Sequence, residues 1–538
     1  MYKMYPNPYF INTPMHNLPY KQYPYYNPPI HKPQNFPVNN DKTGNINDFI
    51  FTLNRRGFII QEGELKYFDI LKLCSIGIFE DCFGNHAGAP YATCILPPAP
   101  NQEPAKGQRP PIGYNPNDPN NYPANVTYGI PGITYKLRPD EAIVLIGKTP
   151  PPAYYFGFRS YIGLAENMPN KEYDEDTTVG SKAITLGDEY TGKYHRLLNS
   201  LEDHLNNFNI WTSNTPKGKY GNPFLSDTVI ISSADKGINK QMREALNVSG
   251  FSSDIMNDDN IPMGLVNMGL EKGKDTFMFI MRAIVWKNQD MGTQYLNNLK
   301  NYFKVLRITP KRPVTNLNPW SVPALKHRET STTEFKVLQN ARNELAYLRN
   351  EIIKKYGSDE YDYKELNLDL NSNMLIPDNY ESTVLDYDTI GDNRDATYTK
   401  TKKFQLKSDD DFVILYGVNH EQTGKALINN ASFYGYELYN GVAVAQISVQ
   451  FNNSAAQYFP EGYNNQKYYY VCKFTRKAGE GVVVPYSTGN PSGKAYGVDN
   501  NKDAFIAFRI YVDKETLVGP ALFDVIWDRA ILFTKKNK

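Results

Sequence analysis

Residues 125–148, NVTYGIPGITYKLRPDEAIVLIGK, and residues 395–418, DATYTKTKKFQLKSDDDFVILYGV, run in parallel, and reading them together decides the fold. Thr127-Tyr128 matches Thr397-Tyr398, Leu137 matches Leu406, Asp140 matches Asp409 and Val144 matches Val413; Gly147 meets Gly417 after one insertion. A second pair follows in the same order, DTFMFIMR ending at Arg282 and DAFIAFR ending at Arg509. Each copy then closes on a strand-like run, VLRIT at 305–309 and AILFT at 530–534. Shared order is harder for chance to produce than any one match, so an internal duplication is expected. Short β-rich runs separated by Gly, Pro, Asn and Asp predict a mainly β chain with some α, built as two related sandwich-like lobes.

Working outward, residues 1–44 form a Pro/Tyr/Asn-rich stretch, where proline removes backbone donors and favours extended chain. An extended arm is expected there, with tyrosines as anchors for protein partners or self-association. Residues 45–125 read as an accessory segment. In it, 46–61 is expected to be β, 62–74 helical from Leu65, Phe68 and Leu71, and 97–125 a long Pro/Asn loop. The first β lobe spans 126–312 and carries an α/β insertion, with a helix expected over 193–206 from its leucines and another after the strand DTVIISS. Residues 313–390 read as a helical bridge and acidic linker. The helix is expected over 332–355, capped by Ser331 and Glu334, with a stripe of Phe335, Leu338, Leu345, Leu348 and Ile352. The second lobe spans 391–538.

The chain of 538 residues holds 58 Lys plus Arg against 57 Asp plus Glu, a net charge of +1. So even a balance argues against a general nucleic-acid binder or a polybasic membrane-surface protein. No apolar run approaches the length of a membrane span, and MYKMYPNPYF lacks the apolar core of a signal peptide. Only four cysteines occur, too few for a disulfide framework, so synthesis in a reducing cytosol is expected. The Asn- and Lys-rich composition is what an AT-rich coding genome produces, and a virion or surface component is one expectation that follows.

Candidate chemistry is sparse. Cys74, Cys82, His86 and Cys94 are zinc-competent ligands, but their spacing lacks a CxxC knuckle, and CFGNHAGAPY reads better as a tight loop beside buried thiols. His420 follows the apolar run FVILY and is a candidate general base. Arg282 and Arg509, one from each copy, are candidate anion ligands together with Lys425. No phosphate-loop, HExxH or GxSxG pattern is present, and SSADKG at 232–237 offers only a helix N-terminus. No cofactor is implied.

The string GDNRD at 391–395 resembles the conserved box of bacterial type I signal peptidases. That family also implies a Ser–Met nucleophile upstream, a lysine base between the two and a membrane anchor. Here the nearest approach is Ser372-Asn373-Met374, and no lysine stands between it and Gly391, so the resemblance ends with the string. Locally, GDNRD predicts a stiff turn with Asp392, Arg394 and Asp395 as candidate site residues. Two functions are therefore expected: a non-catalytic structural or binding protein, or a hydrolase working in a cleft between the lobes through His420, Asp395, Asp392 and Arg394.

Overall fold

A computed structural model describes residues 44–75, 81–102, 133–166, 182–184, 194–271, 273–369, 380–446, 450–487 and 495–536. The expected arm, apart from Gly44, lies outside these residues, as do 103–125 of the long loop, the Thr127-Tyr128 match and Ser372-Asn373-Met374. The chain is mainly β, with several sheets and a few helices.

In the N-terminal half, an eleven-stranded sheet curls into a half-barrel. Its order runs Lys182–Ile184, Tyr194–Ser200, Ala153–Glu166, Phe277–Trp286, Tyr91–Ile95, Phe58–Phe68, Phe303–Pro310, Ala142–Lys148, Asp227–Ser233 and Met256–Asn260, with Leu205–Asn206 on the flank of Ala153–Glu166. The final pair is parallel and the others are antiparallel. Successive side chains of a strand point to opposite faces. Ile143, Leu145, Phe158, Phe279 and Val305 therefore fill the concave interior. Val144, Ile231 and Leu306 face outward, under helices Ile46–Arg55 and Lys236–Val248, through Phe49, Leu53, Met242 and Leu246.

The C-terminal half holds two five-stranded sheets. One runs Tyr361–Leu366, Arg529–Lys535, Phe412–Val418, Tyr469–Thr475 and Val482–Val483, and it too ends on a parallel pair. The other runs Ala396–Lys400, Asp503–Tyr511, Ile428–Gly435 and Asn440–Gln446, with Phe404–Gln405 alongside Asp503–Tyr511. Val413, Leu415, Phe433, Phe474 and Ile506 share the core of this half. Helix Ala341–Tyr356 covers the outer face of the first of these sheets, setting Leu345, Leu348 and Ile352 against Ile414, Tyr416 and Phe533.

Four local expectations give way, each to tertiary pairing or to a cap. Residues 46–55 are helical, because the Asn45 side chain accepts from the N–H groups of Asn47 and Asp48, and Phe49 and Leu53 fall on one buried face. Residues 62–68 continue the strand Phe58–Phe68, which pairs on both edges, and only Ile70–Ser75 is helical. The leucine-rich stretch expected as a helix is the strand Tyr194–Ser200, held between Ala153–Glu166 and Lys182–Ile184. The expected helix over 332–355 breaks into Glu334–Val337 and Ala341–Tyr356. The Glu334 carboxylate does not close a box with Ser331; it turns inward to His420, Thr423 and the N–H of Ile526. Among the described residues no helix is long and apolar enough to cross a membrane.

The two halves meet across a seam. Tyr155 and Ile284 on the convex side of the half-barrel pack with Tyr434 and Tyr511 of the C-terminal half. Loop 81–90 inserts beside them, and the Tyr434 hydroxyl donates to the carbonyl of Asn85 at 2.6 Å.

Candidate functional site

The GDNRD turn is an internal clamp. Every residue of 391–395 reaches across to the N-terminal half. Gly391 N–H donates to Leu198 O at 2.9 Å, and the Asp392 carboxylate accepts from Ser200 N–H at 2.6 Å. The Asn393 amide donates to the Tyr155 hydroxyl at 3.1 Å, and Arg394 Nε donates to Asp203 at 2.7 Å. Asp395 accepts from the Tyr155 hydroxyl at 2.8 Å and from Asn206 Nδ2 at 2.9 Å. Burial pushes the Asp395 carboxyl up to about 6, against the pull of those two donors.

His420 belongs to a different cluster. Its Nδ1 lies 2.7 Å from Glu334 and its Nε2 lies 3.5 Å from Asp528. Burial alone would push this imidazole down, but the two acids overcome it and hold the ring protonated, up to about 10. A permanently charged imidazolium between two carboxylates is a poor general base. Lys425 lies close by in sequence and is neutralised by Asp513 at 2.8 Å and Asp524 at 3.1 Å. The partners of His420 are thus Glu334 and Asp528, not Asp395 or Arg394.

Cys74, Cys82, His86 and Cys94 are not brought together as four ligands. Cys74 and Cys82 are joined in a disulfide, and Cys94 is a buried thiol whose pKa burial raises well above its ordinary value. A disulfide sulfur is no thiolate ligand. Among the described residues no group of three or more His, Cys, Asp and Glu is placed to hold a metal. The helix at 236–248 offers no free N-terminus either, because the Asp235 carboxylate accepts from Ile238 N–H at 2.8 Å. Several tyrosines that sit close together in sequence are buried rather than displayed on the surface: Tyr155, Tyr434, Tyr439, Tyr469 and Tyr470.

Arg282 and Arg509 do come together, at the seam. Both are buried and both border Tyr91 and Tyr398. Four other buried arginines meet a carboxylate: Arg159 meets Asp259 and Glu202, Arg196 meets Asp81 and Asp388, Arg307 meets Glu141, and Arg394 meets Asp203; buried Arg328 donates to the carbonyls of Ala396 and Gly519 and to Thr397. Arg282 and Arg509 meet no carboxylate among the described residues. Arg282 donates to the Tyr161 hydroxyl and to Gly391 O, leaving Nε without an acceptor. Arg509 donates to Gly84 O at 2.8 Å, leaving Nη1 without one. The Tyr91 and Tyr161 rings lie 5.8 Å from the Arg282 guanidinium, and the Tyr398 and Tyr434 rings lie 5.4 Å from that of Arg509.

Between them sits His86, which sequence spacing pointed toward zinc instead. Its Nδ1 accepts from Gly88 N–H at 2.9 Å, so the neutral ring carries its hydrogen on Nε2, which faces the Asn430 side chain without closing a hydrogen bond of ordinary geometry. Burial, then Arg509 and also Arg282, push its pKa well below the ordinary value, against a weaker opposing pull from Asn430. The Asn430 amide likewise has no hydrogen-bond partner. Sequence could have offered Arg282 and Arg509 as a pair, and did. It could not offer His86, whose place depends on loop 81–90 crossing to the other half. The cluster contains donors and two fixed positive charges, with no nucleophile paired to a base.

No protein-family model matches the chain, and no curated protein does. Two solved structures are loosely similar. A Vibrio parahaemolyticus protein shares 9% identity over 75% of this chain and 88% of its own, with a TM-score of 0.30. An uncharacterised protein from Burkholderia cenocepacia shares 9% identity over 87% of this chain and 86% of its own, also with a TM-score of 0.30. Similarity at that level bears on neither fold nor function.

Proposed function

We propose that this is a non-catalytic binding protein, made of two lobes related by duplication, whose ligand is held at the seam between them. One observation carries the binding reading: the seam buries two arginines, Arg282 and Arg509, that meet no carboxylate among the described residues and keep donor atoms without a partner, beside His86; of the candidate catalytic groups, Asp392 and Arg394 are held by structural partners, and His420 and Asp395 are too, with His420 Nε2 and Asp395 Oδ1 left without a hydrogen bond. Buried polar atoms are nearly always bonded, so a cluster of exceptions calls for an explanation.

Recurring topology supports the duplication. In each half a helix precedes the strand that borders the last strand, as Ile46–Arg55 precedes Phe58–Phe68 and Ala341–Tyr356 precedes Tyr361–Leu366. The last strand pairs with Ala142–Lys148 in one half and Phe412–Val418 in the other. The next strand follows, then a parallel neighbour. Phe277–Trp286 on Ala153–Glu166 corresponds to Asp503–Tyr511 on Ile428–Gly435. On this reading Ala341–Tyr356 is the second lobe's counterpart of the first lobe's covering helix as well as part of the bridge.

Native mass spectrometry of the purified full chain tests the binding reading. The intact protein is expected to carry a non-covalent adduct that disappears on unfolding. A bare mass under native conditions, with no gain of stability from any tested small molecule, would count against it. Assembly through residues 1–44, including as a virion component, belongs to the same proposal. Deleting those residues is expected to lower the assembly size in light scattering, and an unchanged size removes that part.

A further inference from the structure

We infer that the seam holds a small oxyanion, a carboxylate or a tetrahedral anion such as sulfate or phosphate, gripped by Arg282, Arg509 and His86. The inference rests on the binding reading above and names its ligand class. Two guanidinium groups are withdrawn from water at one place with no carboxylate between them. Burying an ion costs several kcal/mol unless a counter-charge and hydrogen bonds compensate it. The four tyrosine rings return part of that by cation–π attraction, and the Tyr161 hydroxyl accepts from Arg282 Nη2. Backbone carbonyls of Gly84 and Gly391 satisfy one nitrogen of each arginine and leave Arg282 Nε and Arg509 Nη1 open.

His86, beside the two arginines, adds a donor of the same sign. With its Nδ1 filled by Gly88 N–H, His86 presents Nε2–H as a donor. A cation or an electron-poor group finds no acceptor from these three side chains. An oxyanion satisfies them together and neutralises the charge, and guanidinium nitrogens match the edge of a carboxylate or phosphate. Asn430, also unpartnered, can turn its amide to donate as well. Asp395, which approaches the seam through Tyr155, spends Oδ2 on Tyr155 and Asn206; its Oδ1 has no hydrogen-bond partner, and no ion pair joins it to Arg282 or Arg509. The arrangement draws on both halves and on loop 81–90, so the anion would be bound by the assembled seam and by neither half alone.

The experiment uses the full chain, dialysed exhaustively into a buffer with chloride as the sole anion. Thermal unfolding is followed while sodium sulfate, phosphate or formate is added, with sodium chloride at matched ionic strength as the control. The expected result is a saturable rise in Tm with an oxyanion and none with chloride. Ion chromatography of the heat-denatured, undialysed protein is expected to show an oxyanion in stoichiometric amount. Arg509→Met should lose the oxyanion-dependent rise and, in the chloride buffer, match or exceed the Tm of the wild type, because an uncompensated charge has been removed. A merely structural arginine would give a lower Tm in every buffer. If that variant does not fold, His86→Phe and the released-anion measurement on the wild type decide. No released anion together with no saturable rise overturns the inference. A neutral adduct in native mass spectrometry with the same negative result overturns it while leaving the binding reading intact.

Discussion

His420 shows how a single side chain can mislead when read from its neighbours in sequence. An Asn, a Glu and a Lys nearby suggest a reactive histidine, yet Glu334 and Asp528 come from distant segments and make it a fixed charge. That charge has a pH signature. The folded pKa of about 10 lies above the unfolded value of about 6.5, so its contribution is fully present below pH ~6.5 and is lost as pH rises toward 10. His420→Gln leaves two buried acids facing each other and is expected to lower stability by about 3 kcal/mol or more near pH 6. Urea unfolding at pH 6, 8 and 9.5 checks this. The gap between wild type and variant should narrow with rising pH, and a constant gap would contradict the assignment.

Glycine shows what was legible at the same scale. Gly147 and Gly417 were matched from the sequence alone, and each lies near the end of its strand, facing the start of the last strand of its half. A Cβ on Gly147 would sit 2.0 Å from Tyr302 O, and one on Gly417 would sit 2.7 Å from an Asp528 carboxylate oxygen. Gly147→Ala is therefore expected to cost about 1–3 kcal/mol by overpacking, readable as a lowered urea midpoint at unchanged slope. A neutral result would mean that the neighbouring strand shifts freely.

At the scale of elements, periodicity located faces better than it located types. The stripe on Ala341–Tyr356 was readable because Leu345, Leu348 and Ile352 recur at helical spacing, and all three are buried against Ile414, Tyr416 and Phe533. Phe335, counted in the same stripe, is exposed, because the helix breaks before it can bring that side chain to the sheet. The strand Tyr194–Ser200 was not readable. Its leucines also fit helical spacing, and only pairing with Ala153–Glu166 selects the strand. Alternation across a sheet likewise corrects one match within the proposed duplication. Ile143 and Leu145 face the inner core as Val413 and Leu415 do, so Val144 corresponds to Ile414. The insertion thus lies before the strand rather than inside it. Leu348 is wholly buried, and Leu348→Ala is expected to destabilise the chain by about 2–5 kcal/mol through the cavity left against Ile414. Chemical denaturation measures it, and a loss under 1 kcal/mol would show that the helix only rests on the sheet.

For the whole molecule, the informative quantity is how strongly the two halves depend on each other. Each has buried clusters and a covering helix of its own, while the largest cluster joins Tyr155 and Ile284 of one half to Tyr434 and Tyr511 of the other. Composition could say only that the net charge is near zero. It could not say that Asp392, Arg394 and Asp395 are placed inside the molecule as the joint between halves. That joint is specific. Asp392 accepts from Ser200 N–H and from the Thr389 hydroxyl, and Arg394 pairs with Asp203, so truncating either strands a buried partner. Each buried group left unpaired costs about 1–3 kcal/mol, and more if it is charged. Wild-type protein is expected to unfold in one calorimetric transition, because neither half can open without exposing the seam. Asp392→Ala combined with Arg394→Ala removes two of the charged ties across the seam without truncating a side chain of the apolar cores. The double variant should therefore show two transitions, with the hydrogen-exchange protection of Tyr194–Ser200 lost in the first. A single transition, merely shifted to lower temperature, would mean that the cores themselves are interdependent. The clamp at 391–395 would then be a consequence of their union rather than its cause.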